Sequence, residues 1–136
     1  MPKFSRQSTD HLTTCHEILI ALFDQVVRDF DCTILGGHRN ETTQNKLYLQ
    51  KKTHVRFPNS KHNRTPSEAV DVAPYPINWN DRERFYMFGG YVLGIARFLD
   101  INLRWGGDWN HNKILSDNTF DDLVHFELIN GGKLND

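Results

Sequence analysis

Between residues 9 and 30 the apolar side chains Leu12, Cys15, Leu19, Leu22, Val26 and Phe30 recur at helical spacing, which places them on one stripe of a single amphipathic helix. Ser8, Thr9 or Asp10 can cap its start. A helix of this kind is stabilised mainly by burying its stripe, so the rest of the chain must supply a layer to cover it. The next apolar segment, Cys32-Thr-Ile-Leu-Gly-Gly, reads as a short buried strand and is the first candidate for that layer.

Asn40 is placed to cap a helix running through Asn40-Glu-Thr-Thr-Gln-Asn-Lys-Leu-Tyr-Leu-Gln, which sets His38-Arg39 at a strand-to-helix junction. Ala69-Val-Asp-Val-Ala reads as a second strand, stopped by Pro74 and Pro76. Residues 81–99 read as a long helix with a weak point at Gly89-Gly90. Phe85, Tyr86, Phe88 and Tyr91 form its core face. Leu103-Arg-Trp and residues 123–129 read as strands separated by a Gly/Asn-rich turn. Helices and strands do not alternate strictly, so the expected fold class is α+β, a small antiparallel sheet flanked by helices. A chain of 136 residues with no linker or internal repeat is expected to form one domain over residues 1–136. Residues 56–76, rich in Pro, Asn and Ser, read as a functional loop within it.

Charge narrows the function. Lys and Arg total 16 against 17 for Asp and Glu, so no basic footprint for nucleic acid is present and no nucleic-acid partner is expected. No apolar run is long enough to cross a bilayer, and Met-Pro-Lys-Phe-Ser-Arg-Gln lacks the apolar region of a signal peptide. No membrane insertion is expected, and synthesis is expected in the cytoplasm. Cys15 and Cys32 lack metal-pair spacing and are read as buried thiols.

Among seven histidines, His62 shares a neighbourhood with a carboxylate. In Ser60-Lys-His-Asn-Arg-Thr-Pro-Ser-Glu-Ala-Val-Asp71, the histidine lies in a loop and Asp71 on the strand that follows. Near the C-terminus, Asp122-Leu-Val-His125-Phe-Glu-Leu reads as a strand. Alternation places His125 and Glu127 on one face and Phe126 and Leu128 in the core on the other. Asp122 then stands at the strand's entry. Two imidazoles and a carboxylate make a ligand set suited to catalytic zinc with one position left for water, and a further carboxylate can serve as base. His111, in the Asn/Gly-rich turn, is the rival third ligand.

Ser-x-His through Ala-x-Asp, then Trp-Gly-Gly-Asp-Trp and Asp-x-x-His-Phe-Glu, resemble the zinc D-Ala-D-Ala carboxypeptidase and L-alanyl-D-glutamate endopeptidase family, VanY-like, especially its bacteriophage endolysins. The likeness runs from about Gly36 to Leu128. It implies a hedgehog/D-Ala-D-Ala-peptidase-like fold. It further implies zinc held by His62, Asp71 and His125, with Asp122 as general base and Arg39 facing substrate or the forming oxyanion. Ser60 matches a motif serine of open role. The implied activity is L-alanyl-D-glutamate hydrolysis in peptidoglycan by a monomeric phage or prophage endolysin, released from the host cytoplasm by a separate membrane-permeabilising protein. Release of terminal D-Ala by a D,D-carboxypeptidase or dipeptidase is the alternative, as is a non-catalytic zinc-binding module. One departure stands out: residues 63–68, Asn-Arg-Thr-Pro-Ser-Glu, form a longer spacer than the family's glycine-containing one, which leaves loop shape and substrate choice open while both ends of the motif stay intact.

Within Trp105-Gly-Gly-Asp108-Trp109, the glycines are expected to take unusual backbone angles. Trp105 is read as structural, and Trp109 stays open between core and groove. Glu127 is expected to support a ligand rather than to be one. His11, His16 and His54 read as ordinary surface or helix-face residues.

Overall fold

In a computed structural model, which describes residues 2–134, the chain runs α1 (Arg6–Leu12), α2 (Glu17–Asp29), β1 (Cys32–Gly36), α3 (Glu41–Leu49), β2 (Ala69–Pro74), α4 (Arg82–Phe98), β3 (Leu103–Gly106) and β4 (Asp122–Leu128). All strand pairings are antiparallel, in the order β1-β2-β4-β3. The α+β architecture expected from the element order is the one observed.

The helix expected over residues 9–30 is two helices. Its apolar stripe is buried as read, with Leu12, Cys15, Leu19, Leu22 and Val26 all in the core, but residues 13–16 leave helical geometry. Local side chains and a distant strand compete for the backbone there. The Thr14 hydroxyl donates to His11 O and accepts from His38 N. Cys15 forms a parallel bridge with Ser67, through His16 N to Ser67 O (2.8 Å) and Ser67 N to Thr14 O (3.0 Å). His16, read as an ordinary histidine, restarts the helix by accepting Ile18 N on its Nδ1. The first helix is capped not by Ser8, Thr9 or Asp10, which lie inside it, but by Ser5, whose side chain accepts from Ser8 N; Asn40 caps α3 as read, accepting from Thr43 N, and Asp81 caps α4, accepting from Arg84 N.

Strand alternation divides the sheet into a core face and a site face. Val70 and Val72 of β2 and Phe126 and Leu128 of β4 are fully buried against α2 and α4, with Phe126 in edge contact with Phe23 (5.5 Å) and Phe88 (6.1 Å). Asp71, between the two valines, and His125, before Phe126, therefore face the opposite side. They are direct partners in the β2–β4 register, as are Ala69 and Glu127.

Gly89 and Gly90 do not interrupt α4. A Cβ on Gly89 would strike the Trp105 indole, which is fixed by its Nε1 donating to Leu123 O (2.8 Å) and by stacking on Phe126; a Cβ on Gly90 would meet open space. Adjacent glycines should thus respond with opposite signs. Gly89→Ala is expected to destabilise by about 1–3 kcal/mol through overpacking, whereas Gly90→Ala should stabilise by about 0.5–1 kcal/mol through helix propensity. Urea unfolding midpoints of both variants check this.

Cys15 and Cys32 are free and buried. Burial pushes their thiols up to about 11 and about 12 respectively, so thiolate is scarce at neutral pH. Neither is expected to react with iodoacetamide at pH 8 until denaturant is added; mass spectrometry of the native protein would read any adduct.

Candidate metal centre

His62 is fixed by a 3-10 turn over Lys61–Asn63. The Ser60 hydroxyl accepts His62 N, and Ser60 N donates to the Asn63 side chain, closing a reciprocal cap. Ser60, left without a role above, thus holds the turn in shape. The turn is stitched to the β1–α3 junction by Arg39 N donating to His62 O (2.8 Å) and Asn63 Nδ2 donating to Arg39 O (3.1 Å). Gln44, fully buried on α3, accepts from Asn63 and donates to Val55 O.

The buried His62 ring lies with Nδ1 2.7 Å from Gly37 O. A carbonyl only accepts, so Nδ1 carries the proton and Nε2 presents a lone pair. His125 is set the same way from its other nitrogen: Nε2 donates to Glu127 Oε1 (2.8 Å), leaving Nδ1 toward Asp71. His62 Nε2 and His125 Nδ1 stand 3.3 Å and 3.4 Å from Asp71 Oδ1. The donor atoms of His62, Asp71 and His125 all lie within 4.8 Å of one another. Both contacts are close to the ~3.3 Å edge of a tetrahedron with metal–ligand bonds of about 2.0–2.1 Å. His62 Nε2 and Asp71 Oδ1 are also buried with no hydrogen-bond partner, a costly state that a shared cation relieves. The residues therefore fit a divalent metal.

Charge around these donors is strongly coupled. Burial works to raise the Asp71 carboxyl, but the two histidines outweigh it and hold it well below the usual carboxylate range. Burial works to lower the His125 imidazole, and its bonds to Asp71 and Glu127 outweigh it, raising it to about 9. Glu127 is likewise driven down to about 2: burial opposes the shift, while His125, Arg104 and Lys61 cause it. Asp122 moves the other way. Burial and the nearby Asp71 charge push its carboxyl upward, against the pull of His125, Arg39 and His62.

Arg39 donates from Nη2 to Asp71 Oδ2 (2.8 Å), the carboxylate oxygen turned away from the histidines. A groove of about 370 Å³ opens over this cluster, lined by Arg39, His62, Asp122 and His125, with Trp109 and Glu127 beside them. All five residues singled out from the sequence thus reach one place: three as converging donors, Arg39 bonded to one of them, and Asp122 on the groove wall.

The profile of the phage L-alanyl-D-glutamate peptidase family matches residues 1–129. The chain belongs to that family. The L-alanyl-D-glutamate peptidase of Escherichia phage T5 is 30% identical over 113 residues, covering 79% of this chain and 82% of the relative. In fold, the peptidase is similar to the Serratia marcescens L-Ala D-Glu endopeptidase ChiX, with a TM-score of 0.72 and 22% identity over 93% of this chain and 90% of the other. A vancomycin-resistance D,D-pentapeptidase, VanY, in complex with Zn(II), matches with a TM-score of 0.51 and 16% identity over 82% and 68% of the respective chains. The VanY-like fold and family expected from the motifs are those found, and the enzyme is a peptidoglycan peptidase.

Several readings of individual residues change in this peptidase. His111, the rival ligand, lines a different groove, between α4 and β3, because the buried Asp108 carboxylate accepts Asn112 N and Lys113 N and curls the turn there. Gly106 and Gly107 have no left-handed φ; they are needed for room, since side chains there would strike the Asp122 backbone and the Trp105 ring. Trp105 is core, as read, while Trp109 faces the groove with its ring 5.3 Å from His125. His54 is exposed, as read, and packs on Phe120 (4.6 Å) at the groove rim. Residues 63–68 contribute nothing to the groove wall among the described residues. They are held by backbone bonds from Glu68 N to Lys61 O and from Leu128 N to Glu68 O. Glu127 supports His125, as read. The cations gathered on it, Lys61 (3.2 Å) and Arg104 (2.7 Å), were not singled out from the sequence.

Among the described residues, no helix is long and apolar enough to cross a membrane.

Proposed function

We propose that His62 Nε2, Asp71 Oδ1 and His125 Nδ1 hold a zinc ion and that this centre hydrolyses the L-alanyl–D-glutamate bond of peptidoglycan stem peptides. The observation that carries the reading is the convergence of three buried donor atoms, two of them orphaned, in a peptidase of this family. Zinc, when bound, lowers the pKa of water toward about 7 and polarises a carbonyl.

The chain's own residues do the rest. Asp122, on the same groove wall, takes the proton of the attacking water on its carboxylate and returns it to the departing amine. Arg39 is charged at any working pH. It stabilises negative charge developing on the carbonyl oxygen, and its bond to Asp71 orients that ligand. Glu127 keeps the His125 lone pair aimed inward. Glu127→Ala is therefore expected to weaken zinc binding by about 10–100-fold, measured by competition against a chromophoric chelator.

Digestion of isolated muropeptides, with metal analysis of the same sample, tests the reaction. New amino-terminal D-glutamyl fragments support it; release of D-Ala alone would replace it with carboxypeptidase action. On the same reading, residues 1–136 form one catalytic domain, monomeric on size exclusion, made in the host cytoplasm and released onto the wall.

A further inference from the structure

Four cationic side chains line the groove, Arg39, Lys52, Lys61 and Arg104, against two carboxylates, Asp122 and Glu127, although the whole chain carries a net charge of -1. Most of this charge is already engaged. Arg39 is bonded to Asp71. Lys61 donates to Leu128 O and pairs with Glu127 Oε2. Arg104 donates from Nη2 to that same Oε2 (2.7 Å), so Lys61 and Arg104 share one carboxylate oxygen.

Of these cations, Arg104 is the one best placed to meet a further carboxylate. It rises from β3 directly opposite Glu127 in the β3–β4 register, and its guanidinium lies over the Trp109 ring (5.8 Å), the ring that faces His125. Its side chain is 37% exposed, and Nη1 makes no hydrogen bond among the described residues. A guanidinium braced on one edge and open on another is a preorganised carboxylate receptor. Lys52, by contrast, is an exposed loop residue with no ion pair among the described residues, and nothing braces it.

The substrate supplies a matching group. A glutamyl residue has two carboxyls and a chain continues through only one, so the residue on the amine side of an L-alanyl–D-glutamate bond keeps a free carboxylate within a few bonds of the scissile nitrogen. We propose that Arg104, backed by Lys61, receives this carboxylate and makes the enzyme selective for an unmodified D-glutamate over its carboxamide. The inference rests on the reaction proposed above.

Two stem peptides that differ only in acid or amide at that carboxyl provide the test, each assayed for kcat and KM with the zinc-loaded enzyme. Wild type is expected to prefer the acid by roughly tenfold or more in kcat/KM, the worth of one charge-assisted hydrogen bond. In Arg104→Gln the preference should fall to within about threefold, mainly through a higher KM for the acid, and Arg104→Lys should recover part of it. The ratio cancels any general loss of zinc or fold, since both peptides meet the same enzyme. An undiminished preference in Arg104→Gln, or none in wild type, would overturn the assignment of Arg104. Failure of wild type to cut either peptide at this bond would instead overturn the reaction.

Discussion

Asp122→Ala is expected to cut kcat for muropeptide hydrolysis by about 10²–10⁴-fold, the usual contribution of a positioned general base, while the protein keeps its zinc. The separation follows from geometry. Asp122 is not among the three converging donors but lines the groove above them, so its loss removes a proton carrier and leaves the ligand set whole. At the entry of β4, its backbone rather than its carboxylate packs against Gly106, and the variant should fold. Turnover within about tenfold of wild type would exclude the role. Loss of zinc together with activity would make Asp122 a binding residue instead. Elemental analysis beside the kinetic assay distinguishes these results.

His62→Ala is expected to abolish both zinc retention and activity. It deletes one of three donors and leaves Gly37 O without the Nδ1–H that now satisfies it, a further cost of about 1–3 kcal/mol to the fold. The sharpest measurement is thermal unfolding with and without zinc. A ligand that binds only the native state stabilises it by RT ln(1 + [L]/Kd), so wild type should gain in Tm on adding zinc and the variant should not. A variant with an undiminished zinc-dependent shift would show that the metal sits elsewhere.

The strands were legible because burial writes itself as alternation. Val70-Asp71-Val72 and His125-Phe126-Glu127-Leu128 each state which residues enter the core and which are left on the other face. The family motifs then picked out the polar ones that matter. What sequence could not carry was pairing at a distance. The break at residues 13–16 is imposed by Ser67 and His38, whose competition with helical hydrogen bonding leaves no mark on the apolar period. Arg104 and Lys61 are ordinary charged residues until the β3–β4 register and the turn at Lys61–Asn63 bring them to Glu127. His54 and Phe120 meet across the groove with nothing local to announce either. The spacer at residues 63–68 gave no sequence signal of its place, and the structure leaves it out of the groove wall.

The cross-strand partnership of Asp71 with His125 has an evolutionary consequence. The relative placement of two of the three donors is set by counting residues along two paired strands, not by the length of any connection between them. Insertions and deletions in the connecting segments can therefore accumulate without moving these ligands, and the groove rim is free to diversify. A single-residue slip of β4 against β2 would do the reverse, turning Phe126 toward the site and His125 into the core. Such a lineage could not trade activity for stability, because the same error would remove both.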